Sequence, residues 1–267
     1  MSERNREGKR AARERLAAER ERDKARQKTR RTMVALASVL GVIIVAGGIA
    51  FAVNKANSGD DDAKKPVAYP KGAAGKDRLA IPAGKADAPS KLTVYEDFRC
   101  PACAQFEQGF SKTIGQLVDD GKLSADYHLV TLIDGNVGGS GSLKAANAAA
   151  CAQDAGKFRD YHDVLYSNQP EETSDDFGDN KRLKELAKQV KGLSGATFDK
   201  CVDDGRYDGW VQKSQDAFGK SGHTSTPTVL LDGKNVWGQG SDLTPKKLTE
   251  LVDKKAGDKA GDKAGAS

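Results

Sequence analysis

Histidine, tryptophan and cysteine are scarce in this chain: its 267 residues include three His, two Trp and four Cys. A cysteine-built tetrahedral zinc site needs a second close pair of ligands, and Cys151 and Cys201 are each solitary. The one close pair, Cys100 and Cys103, is therefore not read as half of a metal site, and no metal or cofactor is expected. The histidines, at 128, 162 and 223, are scattered. His162 reads as a packed or surface imidazole, and for His223, four residues before Pro227, an approach to Cys100 is the less favoured reading. Trp210 and Trp237 read as core.

Charge is absent from one long stretch. Met33 to Val53 holds 21 residues with no Asp, Glu, Lys or Arg. At about 1.5 Å per residue a helix of that length crosses a hydrocarbon core of roughly 30 Å. The 15 residues before it carry seven Lys and Arg, and the 15 after it three. By the positive-inside rule, residues 1–32 form a basic cytoplasmic arm and everything after 53 is extracytoplasmic, giving a single-pass cell-membrane protein. The rival is a cleaved signal peptide ending at Ala50-Phe51-Ala52, but the apolar run exceeds the usual h-region. The formal charge of +5 is concentrated in the arm, so it is no argument for nucleic acid. Residues 54–76 read as a flexible linker and 255–267, with Ala-Gly-Asp-Lys repeated, as a disordered tail.

Cys100-Pro101-Ala102-Cys103 lies where a strand-like run, Leu92 to Glu96, gives way to a helical one with Phe106, Phe110, Ile114 and Leu117 on one face. Cys100 thus falls at a helix start, with Pro101 in the first turn. Free N–H groups and the helix dipole favour a thiolate there, and Arg99 adds a nearby cation. The neighbouring thiol releases a mixed disulfide. Cys100 is read as nucleophile and Cys103 as resolving thiol. A purely structural disulfide would close too short a loop to restrain much.

From about Leu79 the pattern alternates. Leu79 to Ile81, Leu92 to Glu96 and Tyr127 to Ile133 read as strands, with the Cys103 helix between the second and third. A helical block follows, then a hairpin through Asp232-Gly233, then a helix capped by Thr244 with Pro245 in its first turn and a Leu243–Leu248 staple. This is α/β order with an all-α insertion. Cys151 and Cys201, both inside the insertion, most simply pair as a structural disulfide in an exported domain, a redox relay being the alternative.

Tyr95-Glu96-Asp97-Phe98-Arg99-Cys100-Pro101-Ala102-Cys103, with Ser225-Thr226-Pro227-Thr228 leading into a strand, resembles the DsbA-like thioredoxin-fold oxidoreductases of the membrane-anchored bacterial type. The resemblance covers roughly 77–254. It implies a thioredoxin fold with a helical insertion over about 141–218, a transmembrane helix ahead of it, and a cis bond at Thr226–Pro227 facing the two thiols. Thr226 and Pro227 would then pair with an extended substrate segment. Such enzymes often carry a carboxylate six residues before the nucleophile; here that position is Val94, and Glu96 is the substitute proton carrier. Pro101-Ala102 also lacks the His found between the cysteines of the strongest oxidases. The implied activity is disulfide introduction into exported proteins with cysteine pairs, followed by reoxidation by a membrane redox partner. The alternatives are a reductase, as in cytochrome maturation, and a non-catalytic peptide-binding module.

Overall fold

The computed structural model describes residues 66–265. The basic arm and the apolar stretch 33–53 lie outside the described residues, and among those described no helix is long and apolar enough to cross a membrane.

Five strands form one mixed sheet: β1 (Ile81–Ala83), β2 (Ser90–Glu96), β3 (Leu123–Leu129), β4 (Thr228–Leu231) and β5 (Lys234–Asn235), in the order β1-β3-β2-β4-β5. β2 and β3 run parallel, which requires a crossover, and α1 (Pro101–Asp119) supplies it. β2 is central: Val94 pairs with Tyr127 on one side and Val229 on the other, and Leu92 and Val94 are fully buried. The hairpin turn between β4 and β5 has positive φ at both Asp232 and Gly233 (51° and 81°), a primed turn that matches strand twist.

Six α-helices lie between β3 and β4: α2 (Leu132–Val137), α3 (Gly141–Asp154), α4 (Phe158–Ser167), α5 (Asn180–Ala187), α6 (Ala196–Asp203) and α7 (Asp208–Lys220). α3 is the packing centre of this insertion, touching α4, α6 and α7. Its alanines 145, 146, 148, 149, 150 and 152 are all fully buried, small side chains that let neighbouring helices approach closely. Within the thioredoxin-like part, α1 packs its Phe106, Phe110, Ile114 and Leu117 face inward, and α8 (Pro245–Gly265) lies beside it. The Thr244 hydroxyl accepts from Lys247 N at 3.2 Å, the expected cap.

Four boundaries differ from the sequence reading. The third strand spans 123–129, not 127–133. Its early residues, including Ser124 and Asp126, are buried, so polar residues conceal an interior strand, and its end is set by the turn into α2, where Asp97 accepts from Ile133 N. The first strand is shifted to 81–83, because Ala80 instead bridges to Ala74. Residues 66–76 are not a free linker: Val67, Ala68 and Tyr69 pack on the core, Lys71 N donates to Asp154 Oδ1, and Arg78 stacks on Tyr69. The last helix continues to Gly265 through the Ala-Gly-Asp-Lys repeats read as disordered. Alanine and lysine are strong helix formers, and each intervening glycine costs only about 1 kcal/mol.

Candidate active site

Cys100 is the N-cap of α1, with extended φ/ψ of −77° and 118°, and Pro101 follows in the first turn. Its carbonyl accepts from Cys103 N (3.0 Å) and Ala104 N (3.2 Å), while its own N–H donates to Asp97 O (3.0 Å). Both thiols are free. Cys100 keeps 6% of its surface and Cys103 none, so only the first offers an incoming sulfur a path. Pro101 and Ala102 are exposed beside it.

The loop before β4 completes the site. The Thr226–Pro227 bond is cis, both residues are buried, and the Cys100 thiol donates to Thr226 O at 3.3 Å. The Thr226 hydroxyl, buried and without another hydrogen-bond partner among the described residues, bears on the same sulfur.

These surroundings separate the two thiols. A hydrogen bond from the Cys103 thiol, opposed by burial and helped by Thr226 and the N–H groups of Cys103 and Ala102, brings the Cys100 pKa down to about 6. Burial, reinforced by the adjoining Cys100, pushes Cys103 well above an ordinary thiol.

Arg99 is not part of that electrostatic field, contrary to its expected role. Its backbone N–H is tied to Asp97 Oδ1 (2.8 Å), and its buried guanidinium turns into the insertion, donating to Asp134 Oδ1 (2.7 Å), Gly138 O (2.8 Å) and Glu172 O (3.0 Å). The His223 ring packs against Tyr95 and Phe218.

Glu96 is fully buried and paired with His162, Nε2 to Oε1 at 2.8 Å, beneath the thiols. Glu107, one helical turn after Cys103, joins them. Glu96, Glu107 and His162 each bring a donor atom within 4.8 Å of the others, a mixed N,O set of the kind a divalent transition ion accepts. A single proton serves most of it as well: Glu96 Oε2 and both Glu107 oxygens lack a partner, and a protonated Glu107 donating to Glu96 pairs two of the three. Burial foremost, with the Glu96 charge adding, raises the Glu107 pKa. Burial alone would lower His162, but Glu96, Asp163 and Glu107 together outweigh it and raise the imidazole well above its ordinary value. The Tyr166 hydroxyl, also buried and unpartnered among the described residues, adjoins the cluster through its ring contact with His162.

Sequence reasoning missed Glu107, Asp97, Tyr166 and Gln169. Glu107 left a signal, a carboxylate interrupting the apolar face between Phe106 and Phe110. Asp97 gave none, yet its buried carboxyl accepts from Arg99 N and Ile133 N, and burial raises it to about 7 despite those bonds. In the insertion, Cys151 and Cys201 are joined at 2.02 Å.

Comparison with known proteins agrees with this geometry. A family model described as thioredoxin matches residues 77–254. The disulfide bond formation protein D of Bacillus subtilis is 28% identical over 154 residues, 57% of this chain and 67% of that protein. Among solved structures, oxidised DsbA of Mycobacterium tuberculosis is 31% identical with a TM-score of 0.57, covering 67% of this chain and 93% of that one. The reduced disulfide bond oxidoreductase DsbG of the same organism is 30% identical with a TM-score of 0.56, covering 69% and 90%.

Proposed function

The chain belongs to the thioredoxin family and is a DsbA-like thiol:disulfide oxidoreductase, and on that premise we propose that it oxidises cysteine pairs of exported polypeptides through Cys100 and Cys103. A substrate thiolate attacks Cys100 Sγ of the enzyme disulfide. The new S–S bond forms as the Cys100–Cys103 bond breaks, and Cys103 leaves with the electron pair. Cys103, buried and held well above an ordinary thiol, takes up a proton, ultimately from solvent, as it leaves. The second substrate thiolate then attacks the substrate sulfur of the mixed disulfide, and Cys100 leaves as a stabilised thiolate. The substrate ends oxidised and the enzyme as a dithiol, which a membrane redox partner reoxidises.

One arrangement carries this direction: the thiol that must leave last caps α1 and has its pKa brought down to about 6, while its buried neighbour is held well above an ordinary thiol. Stabilising the reduced form makes the disulfide a stronger oxidant, by roughly 30 mV per tenfold. The extracytoplasmic site and the anchor at 33–53 belong to the same proposal, supported by the distribution of Lys and Arg around the apolar stretch.

A reductase is the second reading, favoured by the engagement of Arg99, the cation next to Cys100 in sequence, with Asp134 instead of the sulfur. Equilibration of the purified domain with glutathione separates the two. The oxidase predicts a potential well above the roughly −270 mV of thioredoxin, toward −120 mV. A value at or below that of thioredoxin overturns it.

A further inference from the structure

Gln169, contributed by the helical insertion, meets the active-site loop directly. Its side-chain amide donates to Phe98 O at 2.9 Å and to Cys100 O at 3.0 Å, so one NH₂ spans two carbonyls on either side of Arg99. The Cys100 carbonyl does not need this donor for satisfaction, since Cys103 N and Ala104 N of α1 already point at it. A donor beyond what burial demands fixes direction: it orients the peptide between Cys100 and Pro101, on which the bearing of Sγ toward the N–H groups of Ala102 and Cys103 depends.

Gln169 is itself held in place. Asn168 closes α4, its N–H donating to Val164 O and Leu165 O and its side chain to Val164 O at 2.9 Å. Pro170 follows and keeps Gln169 from continuing the helix. From α1, Gln108 Nε2 reaches Tyr166 O at 3.4 Å, tying the same turn to the helix that begins at Cys100.

We propose that Gln169 is a positioning residue for the nucleophile: the insertion, reaching over the thioredoxin-like core, clamps the Cys100 carbonyl from one side while Thr226 meets its sulfur from the other. The titratable groups around that sulfur are Cys103 on α1, Asp97 in the loop and Glu96 at the end of β2, with Glu107 and His162 behind Glu96, while the Arg99 guanidinium is drawn off by Asp134 and Asp175 of the insertion. Gln169 is neutral, so replacing it changes geometry without changing the count of charges. This inference rests on the redox reading of Cys100.

The test is the pH profile of Cys100 alkylation in the reduced full chain, comparing Gln169→Met, which keeps volume and removes both donors, with the parent. The expected result is a higher midpoint and a rate at pH 5, below the parent midpoint, lower by about threefold to tenfold, the size of one net hydrogen bond, with parent and variant converging at high pH. An unchanged midpoint overturns the proposal, whatever happens to the melting temperature. Should Gln169→Met not fold, Gln169→Asn, whose amide is one methylene too short to span both carbonyls, is read by the same criterion. If the parent itself titrates as an ordinary thiol, it is the redox reading that has failed; a low parent midpoint that the variants share refutes only the role of Gln169.

Discussion

Two pairs of cysteines in one domain have been put to opposite uses. Cys151 and Cys201 sit on α3 and α6, 50 residues apart in sequence, with Cα atoms 6.0 Å apart and no helix N-terminus at either sulfur. Cys100 and Cys103 enclose two residues, and the first caps a helix whose N–H groups and whose neighbour's thiol hold it anionic. A bridge over a long loop restrains the unfolded chain strongly, and one over two residues hardly at all. What the second pair lacks as a staple it gains as an exchangeable bond. The comparison teaches that position decides the use of a thiol more than cysteine content does.

The most severe test of that contrast is to exchange the losses. Cys100→Ser should abolish oxidation of a reduced model substrate, because of the two free thiols only Cys100 reaches the surface at all, whereas the double change Cys151→Ala with Cys201→Ala should leave turnover near the parent value at a temperature where the domain is folded. Activity surviving in Cys100→Ser, measured as substrate thiol consumption, would assign the chemistry to the insertion's pair.

Stability should show the mirror image. Losing the Cys151–Cys201 bridge removes a closed loop spanning a separation of 50 and should cost about 4 kcal/mol in the chain-entropy model. Denaturant unfolding of the double variant measures this. Reducing Cys100–Cys103 alone should cost far less, and comparable losses would erase the distinction.

A smaller effect is expected beneath the active pair. His162→Gln leaves the buried Glu96 carboxylate without its cation, and breaking such a pair costs about 3 kcal/mol. Adding Glu96→Gln should return much of it, since the uncompensated charge is then gone. Urea unfolding of the single and double variants decides. If the double variant is no better than the single, Glu96 was not the group that His162 neutralises.

How much of this was legible in the sequence follows from the same physics. The helix start at Cys100, the β4 hairpin and the Thr244 cap rest on local rules, proline, glycine and hydroxyl chemistry within a few residues, and these were readable. The register of β3 was not, because Ser124 and Asp126 are buried by the tertiary fold and break the apolar pattern. Arg99 was misjudged for a similar reason: adjacency in sequence to Cys100 suggested a shared field, but a side chain that long is steered by acceptors 35 to 73 residues away. Gln169 and Glu107 matter only through contacts that chain order does not announce.

The finest distinction between the pairs is their response to pH, for a bridged thiol does not titrate and a free one does. Cys100 in the folded, reduced protein titrates at about 6 instead of 9.0. A depressed folded pKa contributes stability above the unfolded value and loses it as pH falls through the folded one. At pH 7 the unfolded thiol is still protonated and the folded one largely ionised, so the contribution is about 1 kcal/mol, and below pH 6 it fades out. Cys103, raised in the fold, is neutral in both states throughout this window and adds nothing. Asp97 and Glu107 also titrate nearby, but they do so whether Cys100 and Cys103 are bonded or free, and largely cancel in the difference between the two forms. Unfolding free energies of reduced and oxidised protein, measured in urea at pH 5, 6 and 7, should therefore converge on a constant offset toward pH 5 and diverge in favour of the reduced form toward pH 7. An offset that does not change across this range would mean the Cys100 thiol is no more acidic folded than unfolded, and the contrast between the exchangeable and the structural pair would then rest on exposure alone.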